Sequence, residues 1–197
     1  MRKVLTAPFF NKSTLQVAPK LLGKSLVHKM GKREITGIIT EVEAYVGPQD
    51  HASHAFRGRT PRSEVMFGKP RTWYVYLIYG MHYCLNIVTE REGYPAAILI
   101  RSVAFRPYAY TRPRISIRCG KSGYMKDRNE LCGPGRVCKY FKINRRFNQK
   151  PAHKKSGLWI ENRGIKISSQ NIKHGKRIGV DYAGKWKDKL WRFWIKF

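Results

Sequence analysis

Five short β-type segments between residues 25 and 105 constrain the fold more than any other feature of this sequence. SLVHKM (25–30) and EITGIITEVEAY (34–45) flank Gly31-Lys32, which is typical of a hairpin turn. Short turn-forming stretches separate the three segments that follow, WYVYLIY (73–79), HYCLNIVTE (82–90) and AAILIRSVAF (96–105). The spacing and the β-branched and aromatic content predict an antiparallel-rich sheet.

Helical patterns occur only outside this region and are short. One helix is predicted from Ser13, with Pro19 interrupting it, and another begins near Pro134. Late strands are predicted at GLWIE (157–161), RIGVDY (177–182) and LWRFWIKF (190–197), and no repeat or low-complexity tract occurs. We therefore expect one α+β domain with no internal boundary.

Charge narrows the class of partner. Lys and Arg number 40 against 12 Asp and Glu, a formal net charge of +28, and residues 101–197 carry most of it. Such a field favours a polyanion: DNA, RNA or an anionic membrane surface. No apolar run has the length of a membrane span, and the amino terminus lacks the apolar stretch of a secretory signal. We therefore expect no membrane association.

Metal and nucleotide chemistry have no support in the sequence. Cys84, Cys119, Cys132 and Cys138 form no CxxC pair, and no histidine stands at a zinc-finger spacing. We expect reduced thiols in a cytoplasmic protein, and no metal. Neither a GxxxxGK[ST] loop nor a GxGxxG turn is present, so no nucleotide cofactor is expected.

Acidic residues in an apolar strand are the first candidates for chemistry. Glu41, Glu43 and Tyr45 alternate, which predicts that they share a face, together with Ile35 and Ile39. A carboxylate on such a face is costly unless it is paired or functional. The alternative is a strand end whose acids meet nearby lysines or arginines.

An arginine and a set of aromatic residues add to this pattern. Arg101 lies among apolar strand residues and needs a carboxylate or phosphate partner, for which Glu43 is a candidate; an arginine at a strand edge is the alternative. Alternation separates Trp73 from Tyr74 and Tyr76, which either fill the core or stack on bases. A turn tip at Tyr79-Gly80-Met81 could wedge between base pairs, and the loop HAFRGRTPR (54–62) suits phosphate contacts.

Several long stretches resemble the alkyladenine (3-methyladenine) DNA glycosylase family, of the type found in mammals and many bacteria. The stretches are EAYVGPQDHASH, YVYLIYGMHYCLN, RNELCGPGRVCKYFKINRRFN and RIGVDYAGKWKDKLWRFWI, and together with shorter matches they cover nearly the whole chain in order. The resemblance implies that residues 1–197 form one compact α+β glycosylase domain with a curved antiparallel sheet and peripheral short helices.

The resemblance also implies roles for residues around a damaged base. Glu43 matches the glutamate that activates water, and Arg101 matches the arginine that helps hold it. Tyr45 matches the tyrosine that stacks on one face of the flipped base, and His54 and Tyr76 match the pair that closes the other face.

Further implied roles concern selectivity and DNA binding. Asn86 matches an asparagine that disfavours guanine, Tyr79 matches an intercalating tyrosine, and Met81 lies beside it. Three residues match a loop near the DNA backbone: Arg59, Thr60 and Arg62.

The implied activity is hydrolysis of the N-glycosidic bond of alkylated or deaminated purines flipped out of double-stranded DNA, leaving an abasic site. The enzyme is expected to be monofunctional, without cofactor or metal, monomeric, bacterial and nucleoid-associated. The positive charge of residues 106–155 exceeds what the family leads us to expect. Two alternatives stay open: a non-catalytic RNA- or DNA-binding protein, and a bifunctional glycosylase in which an amine attacks C1′.

Overall fold

A computed structural model describes residues 2–105 and 130–196, in which strands predominate over short helices. The predicted basic loop at 106–124 and Cys119 lie outside these residues. The described strands are β1 (Lys3–Val4), β2 (Ser25–Met30), β3 (Arg33–Val46), β4 (Trp73–Ile78), β5 (His82–Val88), β6 (Ala96–Ala104), β7 (Glu130–Cys132), β8 (Leu158–Asn162), β9 (Ile172–Gly175) and β10 (Arg192–Ile195). The described α-helices are α1 (Ala7–Phe10), α2 (Thr14–Leu21) and α3 (Pro134–Tyr140).

All ten described strands belong to one antiparallel sheet. Its main path runs β1-β8-β2-β3-β6-β5-β4, while β10 joins β3 and β9, and β7 joins β6. The strand β3 is long enough to pair with β2 through its first half and with β10 through its second half. The predicted α+β class with an antiparallel-rich sheet is confirmed.

The two faces of the sheet differ in what covers them. On one face, α2 and α3 pack over a large apolar core that includes Trp73, Ile98, Ile100 and Val137. The other face carries a smaller cluster under the loop that follows β3, with Tyr74 at its centre. Alternation along β4 therefore separates Trp73 from Tyr74 as predicted.

Two β-bulges lie in the middle of the β3–β6 pair. Ile39 pairs with Val103 but Glu41 pairs with Ser102, so Thr40 is an extra residue on β3; between Ser102 and Ile100, Arg101 is extra on β6. A bulge reverses the alternation beyond it. The prediction that Ile35 and Ile39 share the face of Glu43 is therefore wrong, because both isoleucines pack on the large core.

Three further predictions need correction or extension. RIGVDY (177–182) is not a strand: its end belongs to a 3-10 segment at Asp181–Asp188. The strand β9 was not predicted, because its sequence IKHG has no apolar alternation. Cys84 and Cys138 are free buried thiols, but Cys132 is disulfide-bonded, so the expectation of reduced thiols is wrong for Cys132.

Candidate active site

A buried carboxylate, Glu43, lies in the second half of β3. Its Oε2 accepts hydrogen bonds from the Tyr45 hydroxyl at 3.0 Å and from Arg101 Nη1 at 3.3 Å, and its Oε1 accepts one from the Ile178 N–H at 2.8 Å. Burial raises the pKa of Glu43, although the Arg101 charge and the Ile178 N–H oppose that effect. A buried carboxylate with a raised pKa is a stronger base than one in water.

Arg101 connects Glu43 to a second acid. Its Nε donates to Glu41 Oε1 at 3.0 Å while its Nη1 reaches Glu43, so one guanidinium holds both carboxylates. Glu41 also accepts from the Ser102 hydroxyl at 3.0 Å and from Arg192 Nη1 at 3.2 Å. The bulge at Arg101 gives this arginine its position between the two acids. The predicted pairing of Arg101 with Glu43 is confirmed, and the strand-edge alternative is wrong.

A cavity of about 250 Å³ lies beside this carboxylate, and six of the sequence-predicted residues line it. They are Tyr45, His54, Tyr76, Tyr79, Asn86 and Arg101. Glu43 is not on the cavity surface: it lies behind Tyr45, Arg101 and Ile178, all of which both line the cavity and bond to it. Strands β3 to β6 supply about half of the lining residues, and the loop after β3 supplies His54.

The aromatic walls of this cavity are uncharged at neutral pH. Burial, together with the nearby Arg62 charge, lowers the pKa of His54 to about 4. Burial also raises the pKa of the Tyr45 and Tyr76 hydroxyls well above the usual value. His54 Nδ1 lies 2.8 Å from the Tyr74 hydroxyl, and its ring meets Tyr76 edge to face. The cavity therefore presents neutral π-systems that can contact a planar, electron-poor ring.

Asn86 is fixed in the cavity wall. It lies on β5 and is buried, and its side-chain amide Nδ2 donates to the Tyr74 backbone carbonyl at 3.1 Å. That bond fixes the orientation of the amide, so Asn86 presents a rigid polar group to the cavity.

The tip of the β4–β5 hairpin projects into solvent. Tyr79 is 83% exposed and Met81 is 69% exposed, so neither contributes to a core. Tyr79 and Gly80 have φ of 53° and 68°, and the Met81 N–H donates to the Ile78 carbonyl at 3.2 Å, which makes this a type I′ turn. The turn holds an aromatic ring at the mouth of the cavity, in a backbone conformation that is uncommon for tyrosine.

The three residues predicted near DNA phosphates occupy the loop before β4. Thr60 and Arg62 line a second cavity of about 480 Å³ that also includes His54 and Arg57, so it adjoins the first. Arg62 lies 4.8 Å from the Tyr76 ring centre. Arg59 pairs instead with Glu64 at 2.6 Å and stacks on Phe67.

Sequence reasoning missed a second buried ion pair. Asp50 and Arg177 are fully buried and joined by two hydrogen bonds, and the Arg177 guanidinium lies 4.9 Å from the Tyr45 ring. The pair fixes the segment that supplies the Ile178 N–H to Glu43. Asp50 stands in the motif EAYVGPQDHASH, but its partner lies 127 positions away and no local pattern identifies it.

Metal binding and membrane insertion find no support within residues 2–105 and 130–196. No group of three or more His, Cys, Asp or Glu side chains there is arranged to hold a metal ion. None of the helices in that part of the chain has the length and apolarity that crossing a membrane requires.

Comparisons with known proteins agree with the geometry. The sequence profile of the methylpurine-DNA glycosylase family matches residues 8–197. The chain is 42% identical to proteins of Ehrlichia chaffeensis (98% of this chain, 93% of the relative), Methanocella arvoryzae (98% and 92%) and Legionella pneumophila (100% and 96%). Each of these relatives bears the name "Putative 3-methyladenine DNA glycosylase".

Proposed function

Because the chain belongs to the methylpurine-DNA glycosylase family, we propose that its buried carboxylate and aromatic cavity remove alkylated purines flipped out of duplex DNA. The family makes the protein a monofunctional DNA glycosylase of repair, a hydrolase acting on N-glycosyl bonds. The alternative hypotheses of a non-catalytic nucleic-acid-binding protein and of a bifunctional glycosylase are therefore wrong. In keeping with this, no lysine lines the aromatic cavity within the described residues.

In the first step, the basic surface binds the duplex through its phosphates, and Tyr79 enters the base stack. An exposed ring at a tight turn is suited to fill the space that a flipped nucleotide leaves, with Met81 beside it. The neighbouring cavity lined by Arg57, Thr60 and Arg62 is suited to the DNA backbone. Arg59 requires release from Glu64 before it can contact a phosphate.

In the second step, the damaged base stacks between Tyr45 on one side and His54 and Tyr76 on the other. Alkylation at a ring nitrogen gives the purine a positive charge, and a cation gains from the faces of neutral tyrosines. A charged imidazole would repel it, so the lowered pKa of His54 favours binding of this substrate. Asn86 crowds the purine 2-position and so disfavours, without excluding, a purine that carries an amino group there.

In the third step, Glu43 takes a proton from a water molecule whose oxygen forms a bond to C1′ of the deoxyribose. The C1′–N bond breaks and its electron pair leaves with the purine, which neutralises the cationic base. The carboxylate also stabilises the oxocarbenium-like sugar. Oε1 accepts one hydrogen bond, from Ile178, and retains a second lone pair for the water. Arg101 holds the carboxylate in place.

One property of the substrate follows from this mechanism, and the state of the protein is proposed beside it. Deaminated purines leave as neutral bases and need a proton on the leaving group, so hypoxanthine is released more slowly than 3-methyladenine or 7-methylguanine. The whole chain, residues 1–197, acts as one domain and as a monomer, in the cytoplasm and bound to the nucleoid.

The observation that carries this proposal is the buried Glu43 carboxylate held by Arg101 behind an aromatic cavity. Its test is single-turnover excision on labelled duplexes that contain one 7-methylguanine or one hypoxanthine, with alkali used to cleave abasic sites. Glu43→Gln should retain binding of the duplex and lose about 10³-fold in excision rate, which is within the range for removal of a general base. Normal excision by this variant would contradict the assignment of Glu43 as the general base.

Lys69→Gln serves as a matched control, because it replaces a side chain outside the cavity with the same amide. It should excise at the wild-type rate. If wild type released neither base while binding the duplex tightly, the proposed substrates would be wrong.

A further inference from the structure

A basic surface far from the aromatic cavity is not used by the proposed mechanism. Residues 131–160 contain eight Lys and Arg and no Asp or Glu. Several of these cations surround a groove of about 460 Å³ that Lys29 also lines. We call this the basic groove; its cations are Lys29, Arg146, Lys150 and Lys155, which line it, and with them we count Lys154, the exposed neighbour of Lys155 in the chain.

The basic groove and the aromatic cavity lie at opposite ends of the same strands. The Lys150 carbonyl accepts from Trp73 at the start of β4, whereas Tyr79 follows its end. Lys29 pairs with Glu34 near the start of β3, whereas Glu43 lies near its end. At ~3.3 Å per residue these separations are roughly 20 and 30 Å.

The basic groove also lies on the other face of the sheet. One of its walls is Phe147, which packs into the large core with Trp73. Tyr74 and Tyr76, which line the aromatic cavity, project from the opposite side of β4. A duplex centred on Tyr79 therefore lies across one face, and the basic groove opens from the other.

The cations of the basic groove are free for a ligand. No ion pair joins any of the five to an acid among residues 2–105 and 130–196, and all five side chains are exposed. Glu34, which pairs with Lys29 across the strands, forms ion pairs with Arg163 at 2.9 Å and with Arg2 at 3.7 Å instead. Such a row of unpaired cations is suited to a chain of phosphates.

The kind of nucleic acid follows from what the basic groove lacks. Among the residues that the structure describes, its one aromatic ring besides histidine is the buried Phe147, so these residues offer no exposed platform on which an unpaired base could stack. Contacts limited to phosphates favour a duplex, whose bases are already stacked.

We propose that the basic groove binds a second segment of duplex DNA through its phosphates while the aromatic cavity occupies the first. The enzyme then bridges two segments and passes directly from one to the other during its search for damage. This inference rests on the proposed binding of lesion DNA at the aromatic cavity.

The test measures binding of a second duplex. Enzyme carrying Glu43→Gln is saturated with a labelled 12-base-pair lesion duplex, and an undamaged duplex with a different label is titrated in. The patch variant replaces four lysines, Lys29, Lys150, Lys154 and Lys155, with Gln. The control variant makes the same exchange at four exposed lysines elsewhere, Lys12, Lys20, Lys166 and Lys173.

The unmodified background should form a complex that contains both labels. The patch variant should bind the second duplex at least ~10-fold more weakly than the background, and this binding should depend less on salt concentration. The control variant should lose less than ~3-fold in affinity. With Glu43 restored, both variants should excise 7-methylguanine from the short duplex at the wild-type rate. Failure of that excision in wild type would instead contradict the proposed function.

Three outcomes would overturn the bridging proposal. The first is equal weakening in patch and control variants, which would mean an effect of total charge. The second is the absence of a two-label complex together with weaker binding of a 40-base-pair lesion duplex by the patch variant, which would place one long duplex on both surfaces. The third is binding of polyglutamate without binding of the second duplex, which would identify an acidic protein surface as the partner.

Discussion

Two buried carboxylate–arginine pairs lie on either side of Tyr45, and they differ in how the acid is used. Asp50 and Arg177 bond to each other twice, and Asp50 also accepts from the Val46 and Ala52 N–H groups. Glu43 shares Arg101 with Glu41, and Oε1 has one protein partner. The Asp50 carboxylate is saturated and holds the chain, whereas the Glu43 carboxylate is incompletely satisfied and retains capacity to accept a proton.

The comparison shows that burial alone does not make an acid reactive. Both carboxylates are inaccessible to solvent, but the aspartate has its lone pairs occupied by donors that cannot leave. The glutamate lies against a cavity and has a raised pKa because burial outweighs the stabilisation that Arg101 provides. What distinguishes the carboxylate proposed to be functional is a lone pair that no protein donor occupies.

The largest expected effect is on stability at the Asp50–Arg177 pair. Asp50→Asn leaves the Arg177 charge buried without its counter-ion and should lower the free energy of unfolding by about 3–5 kcal/mol. Urea denaturation followed by circular dichroism measures this. A loss below about 1 kcal/mol would mean that the pair is not structural. Asp188→Asn, at an exposed pair with Lys176, is the control and should change stability little.

The pH dependence of excision should distinguish Glu43 from an ordinary carboxylate. Because its pKa is raised, the rate on 7-methylguanine should fall about tenfold per pH unit below a limb that lies above the usual glutamate value. Tyr45→Phe removes a hydrogen bond that lowers this pKa, and it should move the limb to higher pH. A limb at the usual glutamate value, or one that Tyr45→Phe leaves unmoved, would count against Glu43 as the base.

A smaller effect is expected at the hairpin tip. Tyr79→Asn removes the ring but keeps a residue that tolerates positive φ, so the turn should persist. The fraction of an ethenoadenine lesion held outside the stack, read from its fluorescence, should fall by about tenfold on the energy scale of a single stacking contact. An unchanged fraction would show that Tyr79 does not hold the flipped state.

The smallest effect is a change of stability at Glu43 itself, with the sign opposite to that at Asp50. Glu43→Gln should raise the free energy of unfolding by about 1 kcal/mol at pH 7, since active-site groups are often held at a cost. The raised pKa means that wild-type stability falls as pH rises from the unfolded-state value toward the folded-state one, and this component should vanish in the variant. Equal pH dependence of the two proteins would contradict the prediction.

The strands and the faces of β4 were predictable because apolar and aromatic alternation is a local signal. SLVHKM and the Gly31-Lys32 turn marked β2 and the start of β3, and both occur as predicted. The partnership of Arg101 with Glu43 followed from the cost of burying either charge alone. These inferences need only neighbouring residues and the requirement that buried charges be paired.

The rest depends on contacts between distant parts of the chain. No sequence pattern around Thr40 predicts an extra residue, because the bulge is defined by how β3 pairs with β6. Asp50 could not be matched to Arg177, nor Glu43 to the Ile178 N–H, because tertiary packing brings these segments together. The 3-10 segment at Asp181–Asp188 was missed for the same reason.

The bulge at Thr40 makes the length of β3 as important as its composition. In a regular strand Ile39 and Glu43, four residues apart, would share a face; the bulge instead leaves Ile35 and Ile39 in the large core and turns Glu43 away from it. Many side chains along this strand can therefore vary, but closing the bulge without losing a residue would move either the isoleucines or the glutamates to the wrong face. The chemistry of the site is tied to a count of residues.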